Sequence, residues 1–253
     1  MPTHALVRPP GDAFAQALSE QIPRPSIDTS LARAQHVEYC AALRTAGLHL
    51  VELPADDPHP DACFVQDTAV IWGGVAVIAR FGAESREGEQ DATRHALQGV
   101  LRISEVRPPG TLEGGDVLII GSRLFVGLSA RTNRSGMAQL REVLELEGAT
   151  VEALDVPEGL HLLTGCTYLG HGILLATDTY AHLPAFAGLE IIHVPSWEAP
   201  AANALAIGEH VILPVGYPRI AVAIQERGFE VLSVPLSEFA KADGGATCLS
   251  LPY

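Results

Sequence analysis

The chain has 253 residues, 47% of them apolar and 18% charged, which is enough to bury a sizeable core and too apolar for disorder. Thirty acidic residues against 16 basic ones leave a formal net charge of −14, so the surface repels nucleic acid and anionic lipid and neither is expected as a partner. No stretch reaches the length of a membrane helix, MPTHALVRPPGD lacks the pattern of a signal peptide, and Cys40, Cys63, Cys166 and Cys248 form no CxxC pair, so a cytoplasmic protein with free thiols is expected.

In chain order, HALVRPP reads as a short extended run near the N-terminus. The helical stretch LARAQHVEYCAALRTAG follows and leads into the extended run LHLVEL from Leu48. Four hairpin-like stretches come next: TAVIWGGVAVIAR, DVLIIGSRLFVGL, TYLGHGILLAT and NALAIGEHVILPV. Each has two apolar runs around a turn containing glycine, which supplies the positive φ such turns need. A helix is expected after each hairpin. It is followed by an extended run: LRISEV from Leu101, ATVEAL from Ala149, LEIIHV from Leu189 and FEVLSV from Phe229. Glycine stands just before most of these runs, as at a helix C-cap; in GVL it sits two residues earlier.

The five runs start 53, 48, 40 and 40 residues apart, so the chain repeats. Five helix-strand returns but four hairpins leave one hairpin to be made from the chain ends, TCLSLPY pairing with HALVRPP. The fold expected is therefore an α/β propeller of five blades, a pseudo-fivefold ring closed by its termini, in one domain over residues 1–253. An ordinary open α/β sheet is the alternative.

A radial repeat brings the segments before each hairpin to one end of a central channel. These are DACFVQD (61–67), GTLEGGD (110–116), GLHLLTG (159–165), SWEAPAAN (196–203) and KADGGATC (241–248). They offer Asp61, Asp67, Glu113, Asp116, His161 and Cys248. Taken singly, each has a structural reading: Cys248 as buried filler, His161 as a core histidine, Glu113 and Asp67 as turn or cap residues. Together they suit covalent chemistry, with a thiol that attacks and an imidazole that moves protons. Two carboxylates suit a guanidinium, whose donors form planar forks. Arg86 and Arg131 follow successive hairpins. Either they are surface arginines at helix starts, or they point inward and clamp a carboxylate at the opposite end of an arginine-like ligand.

The motifs PDACFVQD, GAESREGE, EGGDVLIIGSRLFVGLSARTN, GLHLLTG, LPVGYPR and DGGATCLSL resemble, in order and over essentially the whole chain, those of dimethylarginine dimethylaminohydrolases. That family lies within the guanidine-modifying superfamily of arginine deiminases and amidinotransferases. The resemblance implies a five-bladed α/β propeller with Cys248 as nucleophile and His161 as general acid and base. It implies Glu113 and Asp67 on the guanidinium, and Arg86 and Arg131 on the substrate carboxylate. Asp61, with backbone near Leu18, is implied for the α-amino group, and Phe64 for the aliphatic stem. The implied partner is a small guanidino amino acid, with no cofactor or metal; a homodimer is compatible with it. One departure stands out: the family usually reads FVED where this chain has FVQD. Gln66 removes a negative charge beside Asp67, so weaker cation binding or an altered preference for methylated arginine is expected.

The implied activity is hydrolysis of asymmetric dimethylarginine and monomethylarginine to citrulline and an alkylamine. A compact arginine deiminase is the first alternative, although the spacing from Arg86 to Glu113 leaves no room for the helical domain that deiminases usually insert. A zinc site built from Cys248, His161, Asp67 and Glu113 lacks an HExxH or any close ligand pair. A non-catalytic arginine-binding module would not require both Cys248 and His161.

Overall fold

The computed structural model describes residues 1–253 and consists of five three-stranded sheets on one plan. In each, an antiparallel hairpin is joined from its second strand, through a crossover, to a parallel third strand. The first sheet holds β1 (His4–Val7), followed by α1 (Thr29–Thr45) and β2 (His49–Glu52). The second holds β3 (Ala69–Trp72) and β4 (Val75–Ile78), then α2 (Gln90–Leu97) and β5 (Arg102–Glu105). The third holds β6 (Val117–Ile120) and β7 (Arg123–Leu128), then α3 (Arg134–Leu144) and β8 (Thr150–Asp155). A one-turn helix, α4 (Leu162–Gly165), leads into the fourth: β9 (Cys166–Gly170), β10 (Ile173–Thr177), α5 (Asp178–Ala181) and β11 (Glu190–Val194). The fifth holds β12 (Leu205–Ile207), β13 (His210–Pro214), α6 (Pro218–Gln225) and β14 (Glu230–Val234). After α7 (Ser237–Ala240) the chain ends in β15 (Ser250–Pro252).

β15 returns to the first sheet and pairs antiparallel with β1, Ala5 opposite Pro252 and Leu6 opposite Leu251. The ring thus closes with the two chain ends supplying the missing hairpin, as the repeat count requires. The five returns also share a local signature. Gly47, Gly99, Gly148, Gly188 and Gly228 all have φ between 85° and 95°, the left-handed turn that ends a helix and reverses the chain into the third strand. The fourth return departs from expectation. Only about a dozen residues separate β10 from β11, and Pro184 interrupts them, so the crossover is the single turn α5 and a 3₁₀ turn at Pro184–Phe186 rather than a full helix.

The cores lie between blades. Leu118 and Phe125 of the third meet Leu174, Tyr180 and Phe186 of the fourth. The largest core sits beneath α1. Asp28 caps that helix, its carboxylate accepting from the Ser30 and Leu31 amides at 2.9 and 3.0 Å. Ala32, Tyr39, Cys40 and Leu43 recur on one face of the helix and pack against Phe14, Phe64, Phe239 and Leu249. The fully buried Tyr39 hydroxyl donates to the Ala246 carbonyl at 2.7 Å and lies 2.7 Å from Ser250 Oγ. Each such bond contributes about 1 kcal/mol net, and leaving the partners unpaired costs about 1–3 kcal/mol. The residues around Cys248 are therefore tied to a helix and to a closing strand, which is why a thiol so near the chain end is well placed.

Candidate active site

All five segments that precede the hairpins contribute to one pocket of about 160 Å³. Asp61, Phe64 and Asp67 come from the first; Gly115 from the second; Leu160, His161 and Thr164 from the third; Asn203 from the fourth; and Asp243, Gly244, Thr247 and Cys248 from the fifth. Leu18, Arg86 and Arg131 complete the wall. Glu113 is fully buried behind it.

His161 precedes α4. Asp116 fixes the start of that helix by accepting from the Leu162 amide at 3.1 Å, and it accepts a second bond from Ser129 Oγ at 2.6 Å. Asp116 therefore acts on the helix start and does not line the pocket. The His161 ring lies 2.8 Å from Glu113 Oε2 through Nε2, and its Nδ1 lies 4.0 Å from Asp67 Oδ1. Burial works against the charged ring, but Asp67, the Glu113 hydrogen bond and Asp116 outweigh it and raise His161 to about 9. Glu113 moves the other way. Burial would lift it, yet the His161 bond and the Arg86 and Arg131 charges hold it well below the usual carboxylate range.

The EGGD turn has little room. A Cβ on Gly115 would stand 2.7 Å from Asp67 Oδ1 and 2.9 Å from the His161 ring, whereas glycine lets its amide donate to Asp67 Oδ1 at 3.0 Å. Asp61 accepts from the Leu18 amide at 3.0 Å, and burial pushes its carboxyl up. Phe64 packs edge-on against Phe14 and Phe239 and meets Gly244, where a Cβ would come within 2.4 Å of its ring. The Gly244-Gly245 pair in front of Cys248 thus serves close approach rather than an unusual backbone. The residue with positive φ here is Asp243, at 57°.

The two arginines are not segregated from the acids. Arg86 is buried, and its guanidinium is fully engaged. Nε and Nη2 reach Glu89 at 2.8–3.2 Å, Nη1 reaches Asp67 Oδ2 at 2.8 Å, and Nη2 also points to the Phe64 carbonyl at 3.4 Å. Arg86 Nη1 and Arg131 Nη1 each lie 3.6 Å from Glu113. Buried charges of opposite sign pair wherever side-chain length allows, so the three carboxylates Asp67, Glu89 and Glu113 share two guanidiniums and one imidazolium. Arg131 differs from Arg86 in one respect: its Nη1 is buried and has no hydrogen-bond partner.

Cys248 Sγ receives the Gly245 amide at 3.4 Å and Asn203 Nδ2 at 3.6 Å. Burial, then the Asp67 charge, push the thiol up, while those donors pull it down. Atoms of Asp67, Glu113 and His161 lie within 4.8 Å of one another, a spacing that fits a cation. To ligate a metal there, the His161 ring would have to give up its proton and the Glu113 bond at Nε2.

Sequence reasoning missed Glu89 and Asn203. Glu89 stands three residues after Arg86 and so at bonding distance, but its burial was not visible in GAESREGE. Asn203 closes its polar segment at the place that Asp67, Asp116 and Cys248 occupy in theirs, which was a usable signal. Gln66, beside Asp67 in sequence, does not line this pocket but a second cavity of about 1040 Å³, beside Ala69, Gly114 and Leu251. Consecutive residues of the 3₁₀ turn Val65–Thr68 point about 120° apart, so Asp67 faces the pocket while Gln66 does not.

Comparison with known proteins gives a consistent set. A family model described as N,N dimethylarginine dimethylhydrolase, eukaryotic, matches residues 10–176. The N(G),N(G)-dimethylarginine dimethylaminohydrolase of Pseudomonas aeruginosa is 36% identical over 253 residues, 99% of each chain. Two crystal structures of dimethylarginine dimethylaminohydrolase superpose with TM-scores of 0.97, at 35% identity and 100% coverage of both chains. One is an adduct with S-methyl-L-thiocitrulline; the other is a Pseudomonas aeruginosa mutant complexed with citrulline.

Proposed function

This chain belongs to the dimethylarginine dimethylaminohydrolase family, and from that premise we propose that it hydrolyses asymmetric dimethylarginine and monomethylarginine to citrulline and dimethylamine or methylamine. The observation that carries the reading is the convergence of Cys248, His161 and Asp67 from separate blades on one pocket wall, with Glu113 directly behind it at 2.8 Å from the His161 ring.

Asp67 and Glu113 hold the guanidinium plane. Each carboxylate oxygen has a second acceptor direction beyond its present partner. Burial, and after it the Asp67 charge, hold the Cys248 thiol protonated; the incoming cation offsets that charge, so the thiol yields its proton to solvent as substrate binds. The thiolate attacks the guanidinium carbon and a C–S bond forms. His161, already an imidazolium, gives its proton to the amine nitrogen as the C–N bond breaks. Water then adds to the thiouronium carbon and neutral His161 takes one of its protons; the C–S bond breaks to release the thiolate, and the remaining hydroxyl proton passes to solvent, where it protonates the freed amine, leaving the neutral ureido product. One water is consumed, and the histidine ends as it began. Asp61 with the Leu18 backbone receives the α-amino group, and Phe64 lies along the stem. Arg131, which lines the pocket and whose Nη1 has only an ion contact to Glu113 at 3.6 Å and no hydrogen bond, is the better placed of the two arginines to take the α-carboxylate. Arg86 holds Asp67 and is released toward the substrate only at the cost of those bonds.

The enzyme works as a single domain over residues 1–253, in the cytoplasm, on a free amino acid. It uses no cofactor, metal, nucleic acid or membrane, and a homodimer is compatible with the reading. No helix is long and apolar enough to cross a membrane. The test supplies purified protein separately with dimethylarginine, monomethylarginine, arginine and agmatine, without added metal, and measures the ureido product and the released amine. Citrulline with dimethylamine and little turnover of arginine is the expected result. Ammonia from arginine at equal or higher efficiency makes the protein a compact deiminase, and a preference for agmatine sinks both readings.

A further inference from the structure

We propose that Asn203 is a catalytic residue of this enzyme: its side-chain amide N–H, with the Gly245 backbone N–H, forms a two-donor cradle that stabilises the Cys248 sulfur as a thiolate. The inference rests on the reading of Cys248 as nucleophile given above.

Asn203 is buried between the fourth and fifth blades, and its two ends do different things. Oδ1 accepts from the Thr247 amide at 2.9 Å and from Thr247 Oγ1 at 2.8 Å. A backbone N–H can only donate, so this contact fixes which end of the amide is oxygen. The other end, Nδ2, is thereby turned to Cys248 Sγ at 3.6 Å. The backbone holds the same registry, with Ala246 N donating to Asn203 O at 3.3 Å. The amide packs closely on the loop: a Cβ on Gly245 would stand 2.3 Å from Asn203 Cγ. Glycine at 245 thus lets the carboxamide lie flat on the nucleophile loop while its own N–H reaches the sulfur from another side at 3.4 Å.

A thiolate accepts hydrogen bonds far more strongly than a thiol, so fixed donors favour the charged form. The sulfur needs that help. Asp67, from the turn before β3, raises it, and Tyr39, from α1, lies behind it un-ionised. The other charges lining the pocket are His161, Arg86, Arg131, Asp61, Asp243 and Glu20. The same two donors act twice in the reaction, when the thiolate attacks and when the C–S bond breaks and the sulfur departs with its electron pair.

Asn203 can also be read as nothing more than a clamp on Thr247, and two variants separate the roles. Asn203→Asp keeps an oxygen for Thr247 and removes the N–H from the sulfur; Asn203→Ala removes both. The readout is the pH dependence of Cys248 alkylation by iodoacetamide, followed on the Cys248 peptide by mass spectrometry, which needs no turnover. Both variants should move the midpoint upward, Asp further than Ala and by at least about one pH unit, a roughly tenfold slower alkylation below the midpoint. kcat should fall while KM changes less than kcat. In unmutated protein, the side-chain amide signal of Asn203 in a ¹⁵N–¹H spectrum should shift with the same midpoint as alkylation, a result independent of whether either variant folds. An unmoved midpoint in a folded Asn203→Asp protein, or an amide signal blind to the titration, overturns the proposal. If Cys248→Ser keeps its turnover, it is the reading of the nucleophile that fails, and the alkylation profile still reports on the cradle.

Discussion

His161→Gln tests the electrostatics of the site directly. The imidazole rises from 6.5 to about 9 because Asp67, Glu113 and Asp116 outweigh its burial. The folded protein therefore binds this proton more tightly than the unfolded chain does. The sign follows: the stabilising contribution is fully present below about pH 6.5 and is lost as pH rises through about 9. At about 1.36 kcal/mol per pKa unit, the rise is worth roughly 3 kcal/mol. Solvent screens little of this, since the His161 side chain is 7% exposed and Glu113 is 0% exposed. Glutamine can still donate to Glu113 but titrates nothing. Urea unfolding of both proteins between about pH 6 and pH 10 gives the difference in their stabilities, from which groups common to both cancel. That difference should shrink by roughly 3 kcal/mol across the range. A difference that stays flat within about 1 kcal/mol would mean a neutral imidazole in the folded state, and would refute both the ion cluster and the resting acid it provides for the leaving amine.

Cys248→Ser should abolish turnover with the fold intact, and rapidly quenched wild type should carry its covalent adduct on the Cys248 peptide; an adduct on Cys63 or Cys166, both fully or nearly fully buried, would reassign the nucleophile. Arg131→Ala should raise KM for dimethylarginine and narrow the preference over its decarboxylated analogue. Arg86→Ala should chiefly destabilise, by about 3–5 kcal/mol, since it leaves Glu89 and Asp67 buried without a counter-charge; denaturant midpoints and competition kinetics on the two variants separate these effects. Gln66→Glu should leave KM for dimethylarginine within about twofold, because this side chain makes no contact in the pocket, where even one methyl-scale contact is worth about 1–3 kcal/mol, roughly tenfold or more; a larger change in steady-state KM would restore the position to the substrate site.

The repeat was legible in the sequence because its determinants are local. Turn glycines, period-two apolar runs and the helix-ending Gly47, Gly148, Gly188 and Gly228 act within a few residues, and five returns against four hairpins force the ends together. The short fourth crossover was legible too, in Pro184 and the few residues available, had length been weighed against the pattern. The candidate residues could be listed because a radial repeat brings like positions to one end, and Asp67, Asp116, Asn203 and Cys248 all close their segments. What each side chain does there lay beyond the sequence. Arg86 was expected to face a ligand carboxylate, yet it faces Glu89 and Asp67. Gln66 stands next to Asp67 in sequence, yet a 3₁₀ turn of about three residues per turn sends it to the other cavity. Asn203 meets Thr247 and Cys248, 44 and 45 positions away in sequence, only because the segment entering the fifth blade lies beside the segment that leads from it into β15 of the first. Local periodicity fixes where a backbone turns. A buried charge or amide chooses its partner by distance and direction in space, so the tertiary structure alone decided which acids were already paired and which donors were left for the sulfur.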